Sequence, residues 1–332
     1  MTQKLQIIWI DDNPEEREKS AKNLQRALGA KVNFVNVKGT KLRIKLKEIL
    51  ELPKPDLIII DHILDNLDMT DGGVIRRGST AGEVIRQEWL NCPIIGVTGA
   101  ILIKNVDLHK KSIYESLYRI EDFSKHYKTI ESLAKSFRIL ESKKLRDVKG
   151  LIRLLKVPEN DIPRLLTILP EELKTNYNDK SLPISVSRWV RHTLMEKPGF
   201  LYNSLWTATL LGIKEKSFEK VKTLFKEAKY DGLFADESNE RWWQTGIREI
   251  LYKKVSSKEL KNTRILGRRL PRINKKDHSV CYACKGDAPE TVGYTDEKAD
   301  RPVQLHLRCS IPHPKFERSL YFEEIRMMKG AE

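Results

Sequence analysis

The chain has no unbroken apolar run near the roughly 20 residues that cross a bilayer, so no membrane span is expected. Its opening, MTQKLQIIWIDD, carries too short an apolar stretch for a secretory signal. Cysteine is scarce, with 4 in 332 residues, which does not fit a disulfide-built secreted scaffold. A cytoplasmic location is the expectation. No G-x-G-x-x-G follows the first apolar stretch, which argues against dinucleotide binding. The D-x-D spacing of phosphate-transferring hydrolases is missing too, so hydrolysis by Asp11, Asp12 and Asp61 ranks last and a non-enzyme is expected. There is no internal repeat and no clear helix-turn-helix pattern.

Negative charge is in deficit: the net charge is +15 and the pI about 9.5. Such a balance favours polyanions, either nucleic acid or an acidic protein surface. The length points to two or three domains, and 40% hydrophobic residues suffice for packed cores.

Residues 1–145 alternate strand and helix. LQIIWI reads as the first strand, and a helix follows from Pro14 to about Leu28, with Asp12 or Asn13 as cap candidates. KVNFVNV alternates as a second strand. DLIII is a continuous apolar run, as a parallel strand covered on both faces requires, and ends at Asp61. A polar, acidic loop carries Asp65, Asp68 and Asp71, and a helix is expected from Ala81 to about Trp89. PIIGVT ends at Thr98. A helix and strand are expected around Asp107 to Ile120, and a helix with Ile130, Leu133, Phe137 and Leu140 closes the unit. Strict alternation implies right-handed crossovers and a doubly wound, five-stranded parallel α/β sheet.

In such a sheet the C-terminal strand ends form the ligand crevice. Asp11, Asp12, Asp61 and Thr98 then meet at one rim. Three carboxylates raise one another's pKa unless a cation intervenes, and hard oxygen donors suit Mg²⁺. One carboxylate would be enough for a helix cap, which leaves Asp61 and Thr98 unexplained.

WIDDN, LIIIDHIL with a following DG, and VTGA resemble the receiver domain of two-component response regulators, over roughly residues 4–142. The resemblance implies that Asp61 accepts a phosphoryl group from a histidine kinase or other signalling protein. Asp11, Asp12, Asp61 and the backbone carbonyl of Ile63 would hold Mg²⁺, and Thr98 would bond the phosphoryl oxygens. The family's fifth-strand Lys-Pro is absent; Lys125 is the best stand-in and Arg119 a second. Without that lysine, a pseudo-receiver serving as a docking surface is the other reading.

Residues 146–256 read as an all-α module. SFEKVKTLFKEAKY places Phe218, Val221, Leu224, Phe225 and Ala228 on one helical face, and Ser238 can cap a helix carrying Trp243, Ile247 and Leu251. Trp189, Trp206, Trp242 and Trp243 are expected as core anchors. Residues 257–276 read as a basic linker. Over residues 253–276 there are ten Lys or Arg and one Glu. Arg264, Arg268, Arg269, Arg272, Lys275 and Lys276 could contact phosphates or an acidic partner.

Residues 277–332 hold Cys281, Cys284, His306 and Cys309 as C-x2-C, 21 residues, H-x2-C. Four N/S ligands at this spacing suit a structural Zn²⁺ in a zinc-ribbon or treble-clef-like finger. Buried thiols or redox cysteines are the alternatives, with His278 and His313 as substitute ligands. Gly286 suits a tight knuckle, and Cys92 reads as a small core residue. Nothing in the sequence specifies an oligomeric state. The expectation is a signalling adaptor regulated at Asp61, with a helical and zinc-binding output; the alternative is a nucleic-acid-binding protein on a non-phosphorylated scaffold.

Overall fold

The structure is a computed structural model, and it describes residues 4–65, 77–99, 112–142, 145–236, 239–255, 262–295 and 301–310. The chain divides into two compact units. One comprises Met1–Gly150, Pro170–Arg188 and Asp236–Ser238; the other comprises Leu151–Leu169, Trp189–Ala235 and Asn239–Glu332.

The first unit is built on β1 (Gln6–Asp11), α1 (Pro14–Leu28), β2 (Lys31–Asn36), α2 (Leu42–Leu50), β3 (Leu57–Asp61), α3 (Gly78–Glu88), β4 (Ile94–Thr98), β5 (Ser116–Arg119) and α4 (Tyr127–Ser142). The strands pair in parallel in the order β2-β1-β3-β4-β5. This is the flavodoxin-like winding, whose switch point lies between β1 and β3. The register sets Ile10 beside Ile60, Asp61 beside Val97 and Thr98 beside Arg119. The acidic and hydroxyl residues of three strands therefore share one edge.

Cover on both faces explains why β3 and β4 are apolar nearly throughout, with every residue buried, whereas the edge strand β2 alternates. Ile8, Ile10, Ile58 and Ile60 pack on one face with Leu46, Ile49 and Ile85. On the other side Trp9 meets Phe123 edge-on, with ring centres 5.1 Å apart. The α1 start has Pro14 in its first turn, as expected, and the left-handed Gly29 ends it. The helix expected from Ala81 begins at Gly78, whose amide donates to the His62 carbonyl. The helix expected near Asp107 lies outside the described residues, as do Asp68 and Asp71; its companion strand is β5. Glu115 is buried and held by Arg86 (3.0 Å) and by the Ser187 hydroxyl (3.1 Å), which ties Pro170–Arg188 to this unit.

The second unit is mostly helical: α5 (Val148–Leu155, which begins at the junction), α6 (Ile162–Ile168), α7 (Ser204–Leu210), α8 (Glu215–Phe218), α9 (Gln244–Lys254) and α10 (Thr263–Gly267). Its core gathers Leu211, Phe218, Phe225, Trp242, Ile247, Leu251, Leu266 and Leu270. Trp189, Trp242 and Trp243 are buried anchors, while Trp206 is half-buried and tilts against Tyr202.

Three sequence readings change here. The expected long helix over Ser217–Tyr230 is instead α8, a break, and tighter 3-10 turns over Lys222–Ala228 with non-helical angles at Phe225. The apolar residues still reach the core, since the kinked path also turns Phe218, Val221 and Phe225 inward. The module is not wholly α: β6 (Leu201–Tyr202) and β7 (Trp242–Trp243) pair antiparallel. Residues 262–276 are not a linker, because α10 buries Leu266 and the turn after it buries Leu270. The helical residues and the metal-type segment thus lie in one unit rather than in separate domains. Ser238 and residues 256–261 lie outside the described residues.

Candidate functional site

At the β1, β3 and β4 ends lies a cavity of about 410 Å³, lined by residues that include Asp12, Arg17, Asp61, Ile63, Thr98 and Glu121. Carboxylate oxygens of Asp11, Asp12 and Asp61 lie within 4.8 Å of one another, and all three residues are buried. Asp11 is the inner member. Its Oδ1 accepts the Asn13 amide at 2.9 Å, and its Oδ2 accepts Trp9 Nε1 at 3.3 Å. Asp12 and Asp61 face the cavity. Asn13, at the N-cap of α1, makes no side-chain cap bond.

Charge confirms the cost of this arrangement. Burial, reinforced by Asp11 alongside, pushes the Asp61 carboxyl up to about 7, although the Ile63 amide donates to it at 3.1 Å. Burial likewise pushes Asp11 up to about 6, against the pull of the Asn13 amide and Arg17. A divalent cation would reverse both shifts, and oxygen donors from Asp11, Asp12 and Asp61 fit a hard ion such as Mg²⁺. Ile63 lines the cavity, where its carbonyl was expected to add a ligand. Thr98 is buried, and its hydroxyl finds no partner among the described residues. An unpaired hydroxyl in such a place is costly unless a ligand engages it.

The strand-borne cation is where the structure corrects the sequence. Lys125 is absent from the cavity lining; its ammonium pairs with Asp122 at 2.6 Å on the exposed 3-10 turn after β5. Arg119 pairs with Glu121 at 2.6 Å. The β5 end delivers Ile120 and Glu121 to the cavity instead, an apolar residue and a carboxylate. Sequence reasoning missed Arg17. Its side chain is only 12% exposed, and its Nε lies 3.7 Å from Asp11 Oδ2. In sequence it looks like one more charge in the surface pattern PEEREK; its sole hint is its place one turn beyond the acidic pair.

The second cluster is in the other unit. One ligand atom from each of Cys281, Cys284, His306 and Cys309 lies within 4.8 Å of the others. Cys281 opens a knuckle in which its amide donates to the Gly286 carbonyl and the Lys285 amide to the Cys281 carbonyl. A Cβ at Gly286 would come within 2.9 Å of the His306 ring, so the close approach needs glycine. His306 Nε2 lies 2.8 Å from the Asp287 carbonyl, which makes it the N–H donor and leaves Nδ1, 3.1 Å from Cys284 Sγ, as the ligand atom. The hairpin of β8 (Thr291–Gly293) and β9 (Val303–Leu305) joins the two ligand pairs. The set fits tetrahedral Zn²⁺ with no fifth protein donor needed. His278 is not part of this set, His313 lies outside the described residues, and Cys92 is a buried core thiol as expected.

The basic residues divide. Arg268 is a strut: it donates to the Gly212 carbonyl (2.9 Å), the Ser279 carbonyl (3.2 Å) and both Asp287 oxygens (2.7 Å each). It is therefore not a phosphate contact. Arg264 is half-buried, its backbone and Cβ against Gly212. Arg269, Arg272, Lys275 and Lys276 are exposed.

No protein-family model matches the chain, and no curated protein matches it. Solved structures do. The response regulator TrrA from Thermotoga maritima, in complex with Mg²⁺-BeF, is 20% identical over 39% of this chain and 98% of its own, with a TM-score of 0.31. The signal receiver domain of a putative LuxO repressor protein from Vibrio parahaemolyticus is 16% identical over 43% of this chain and 100% of its own, with a TM-score of 0.34. An adenylate cyclase from Rhodopirellula baltica matches at 14% identity over 42% of this chain and 95% of its own, with a TM-score of 0.31. The N-terminal unit has the receiver fold. Its strand order, its parallel pairing and the carboxylates gathered at the β1 and β3 ends carry that conclusion.

Proposed function

We propose that this protein is a signalling protein whose receiver-fold unit is phosphorylated on Asp61. The supporting observation is the meeting of three buried carboxylates at one cavity with the hydroxyl of Thr98, which has no partner among the described residues. An Asp61 oxygen attacks phosphorus; the bond from phosphorus to the donor's leaving group breaks, and the leaving group departs with that electron pair. Phosphohistidine on a kinase releases imidazole, which takes a proton; acetyl phosphate releases acetate. Mg²⁺, held by Asp11, Asp12 and Asp61, would supply the positive charge that the incoming phosphoryl group requires. Thr98 then donates to a phosphoryl oxygen. A histidine kinase or another signalling protein is the proposed partner, in keeping with the matched complex of the histidine kinase ThkA with TrrA (19% identity, 39% of this chain and 97% of that one, TM-score 0.31).

The role is that of an adaptor rather than an enzyme with turnover, with the second unit as its output. Zn²⁺ at Cys281, Cys284, His306 and Cys309 would be structural, since four protein ligands leave no open position. Incubation with acetyl phosphate and Mg²⁺ followed by intact mass tests the reading. One added phosphoryl group in wild type and none in Asp61→Asn is expected; no addition in wild type overturns it.

The exposed Arg269, Arg272, Lys275 and Lys276 favour one alternative output, a polyanion such as nucleic acid. Binding to nucleic acid should then fall steeply with salt and weaken in Arg269→Ala/Arg272→Ala. Salt-independent binding, or none, removes this output.

A further inference from the structure

Phosphorylation replaces the single negative charge of Asp61 with the two of a carboxyl phosphate, in a cavity also lined by Asp12, Glu16, Asp65 and Glu121. One divalent ion does not balance that set. Lys125 and Arg119 are paired elsewhere. Arg17 is the one cation among the described lining residues.

Its placement is specific. Arg17 enters from α1, and the helix start fixes it through its backbone amide, which donates to the Asn13 carbonyl at 3.2 Å. Nη1 bonds Glu16 at 3.1 Å, while Nε, close to Asp11 at 3.7 Å, is buried without a hydrogen-bond partner among the described residues. Nη2 reaches across to the β4 end, where a Cβ on Gly99 would meet it at 3.0 Å. Gly99 thus leaves the room that the guanidinium occupies beside Thr98. Two polar groups, Arg17 Nε and Thr98 Oγ1, are therefore buried on the lining of one cavity with donor capacity to spare. Donors of this kind, with a planar fork, match the oxygens of a phosphoryl group.

We propose that Arg17, delivered from α1, does the work of the missing strand-borne lysine and donates to the anion seated on Asp61 together with Thr98. The proposal rests on Asp61 being the phosphoacceptor. It makes Arg17 an anion ligand rather than a partner for Asp11 alone. The two roles differ in what removing the charge does. An anion ligand is lost from phosphoryl binding. A mere partner of Asp11 affects only how tightly the carboxylates hold a cation.

Beryllofluoride with Mg²⁺, followed by ¹⁹F NMR on the full chain, separates them. Wild type should bind in a Mg²⁺-dependent manner. Arg17→Ala should weaken beryllofluoride about 10- to 100-fold, the loss of a charge-assisted hydrogen bond. It should bind Mg²⁺ as tightly as wild type or more tightly, which also shows that the cavity is intact. Arg17→Lys should fall between, and Lys125→Ala should match wild type. Beryllofluoride affinity within about twofold of wild type in Arg17→Ala overturns the role of Arg17 and leaves Asp61 as acceptor. If Arg17→Ala loses Mg²⁺ binding, Gly99→Ala decides: its methyl group displaces Nη2 while keeping the charge. It should weaken beryllofluoride severalfold, and unchanged affinity overturns the proposal. Failure of wild type to bind beryllofluoride or accept phosphate brings down the reading of Asp61 itself.

Discussion

Asp61 and Asp11 carry the energetic signature of the site. Both folded-state pKa values are raised, to about 7 and about 6, from an ordinary value of 3.8. The folded chain therefore holds more protons than the unfolded one between about pH 4 and 7. Stability of the metal-free protein should fall as pH rises through that window and level off above it. Saturating Mg²⁺ should abolish the fall, and at about 100 times its dissociation constant it should add about 2.7 kcal/mol. Asp61→Asn removes a buried charge, so metal-free melting at pH 8 should rise by several degrees and its dependence on pH should flatten. Thermal melts with EDTA and with Mg²⁺ check both. Asp11, Asp12, Asp61 and Thr98 were legible in the sequence, since each closes an apolar run. Arg17 was not, because an arginine in a charged helix is ordinarily solvated, and only the fold turns this one under the β4 end.

At the scale of elements, the segment around Arg268 illustrates how charge patterning misleads. A run of lysines and arginines reads as a solvated ligand-binding stretch. In the structure α10 and the following turn bury Leu266 and Leu270, while Arg268 satisfies two carbonyls and Asp287. Removing that side chain takes a donor from the Ser279 carbonyl, while the Gly212 carbonyl keeps the Ser279 amide and the exposed Asp287 carboxylate turns to water, so Arg268→Ala should cost about 1–2 kcal/mol by urea unfolding. Arg269→Ala and Arg272→Ala, on exposed side chains, should stay within about 0.5 kcal/mol. Asp287 also offers its carbonyl to His306, so Arg268→Ala should speed release of zinc to a chelator. Wild type should carry about one Zn²⁺ per chain, and Cys281→Ser well below that. The Ser217–Tyr230 stretch teaches the complementary lesson. Its apolar spacing identified the buried residues but not the path, because a kinked run of 3-10 turns buries the same side chains as a regular helix.

At the scale of the whole molecule, the five-stranded parallel sheet followed from the alternation of apolar runs and helices, whereas the partition of the chain did not. The first unit recruits Pro170–Arg188 from beyond its apparent end. Ser187 donates to the buried Glu115, and Arg188 to the Ser112 carbonyl at 2.9 Å. These are contacts distant in sequence, with no local signal. A chain ending at residue 145 should melt below the full-length receiver-fold unit, and Ser187→Ala should lower stability by about 1 kcal/mol. Equal melting of the short and full chains would show that the recruited segment contributes nothing. No helix among the described residues is long and apolar enough to cross a membrane.

The central claim is that Asp61 accepts phosphate. Treatment with acetyl phosphate, with and without Mg²⁺, followed by borohydride reduction and peptide mass analysis tests it most directly. Reduction converts an aspartyl phosphate to homoserine. The account predicts homoserine at position 61 only in the Mg²⁺ sample; homoserine elsewhere, or none, would contradict it.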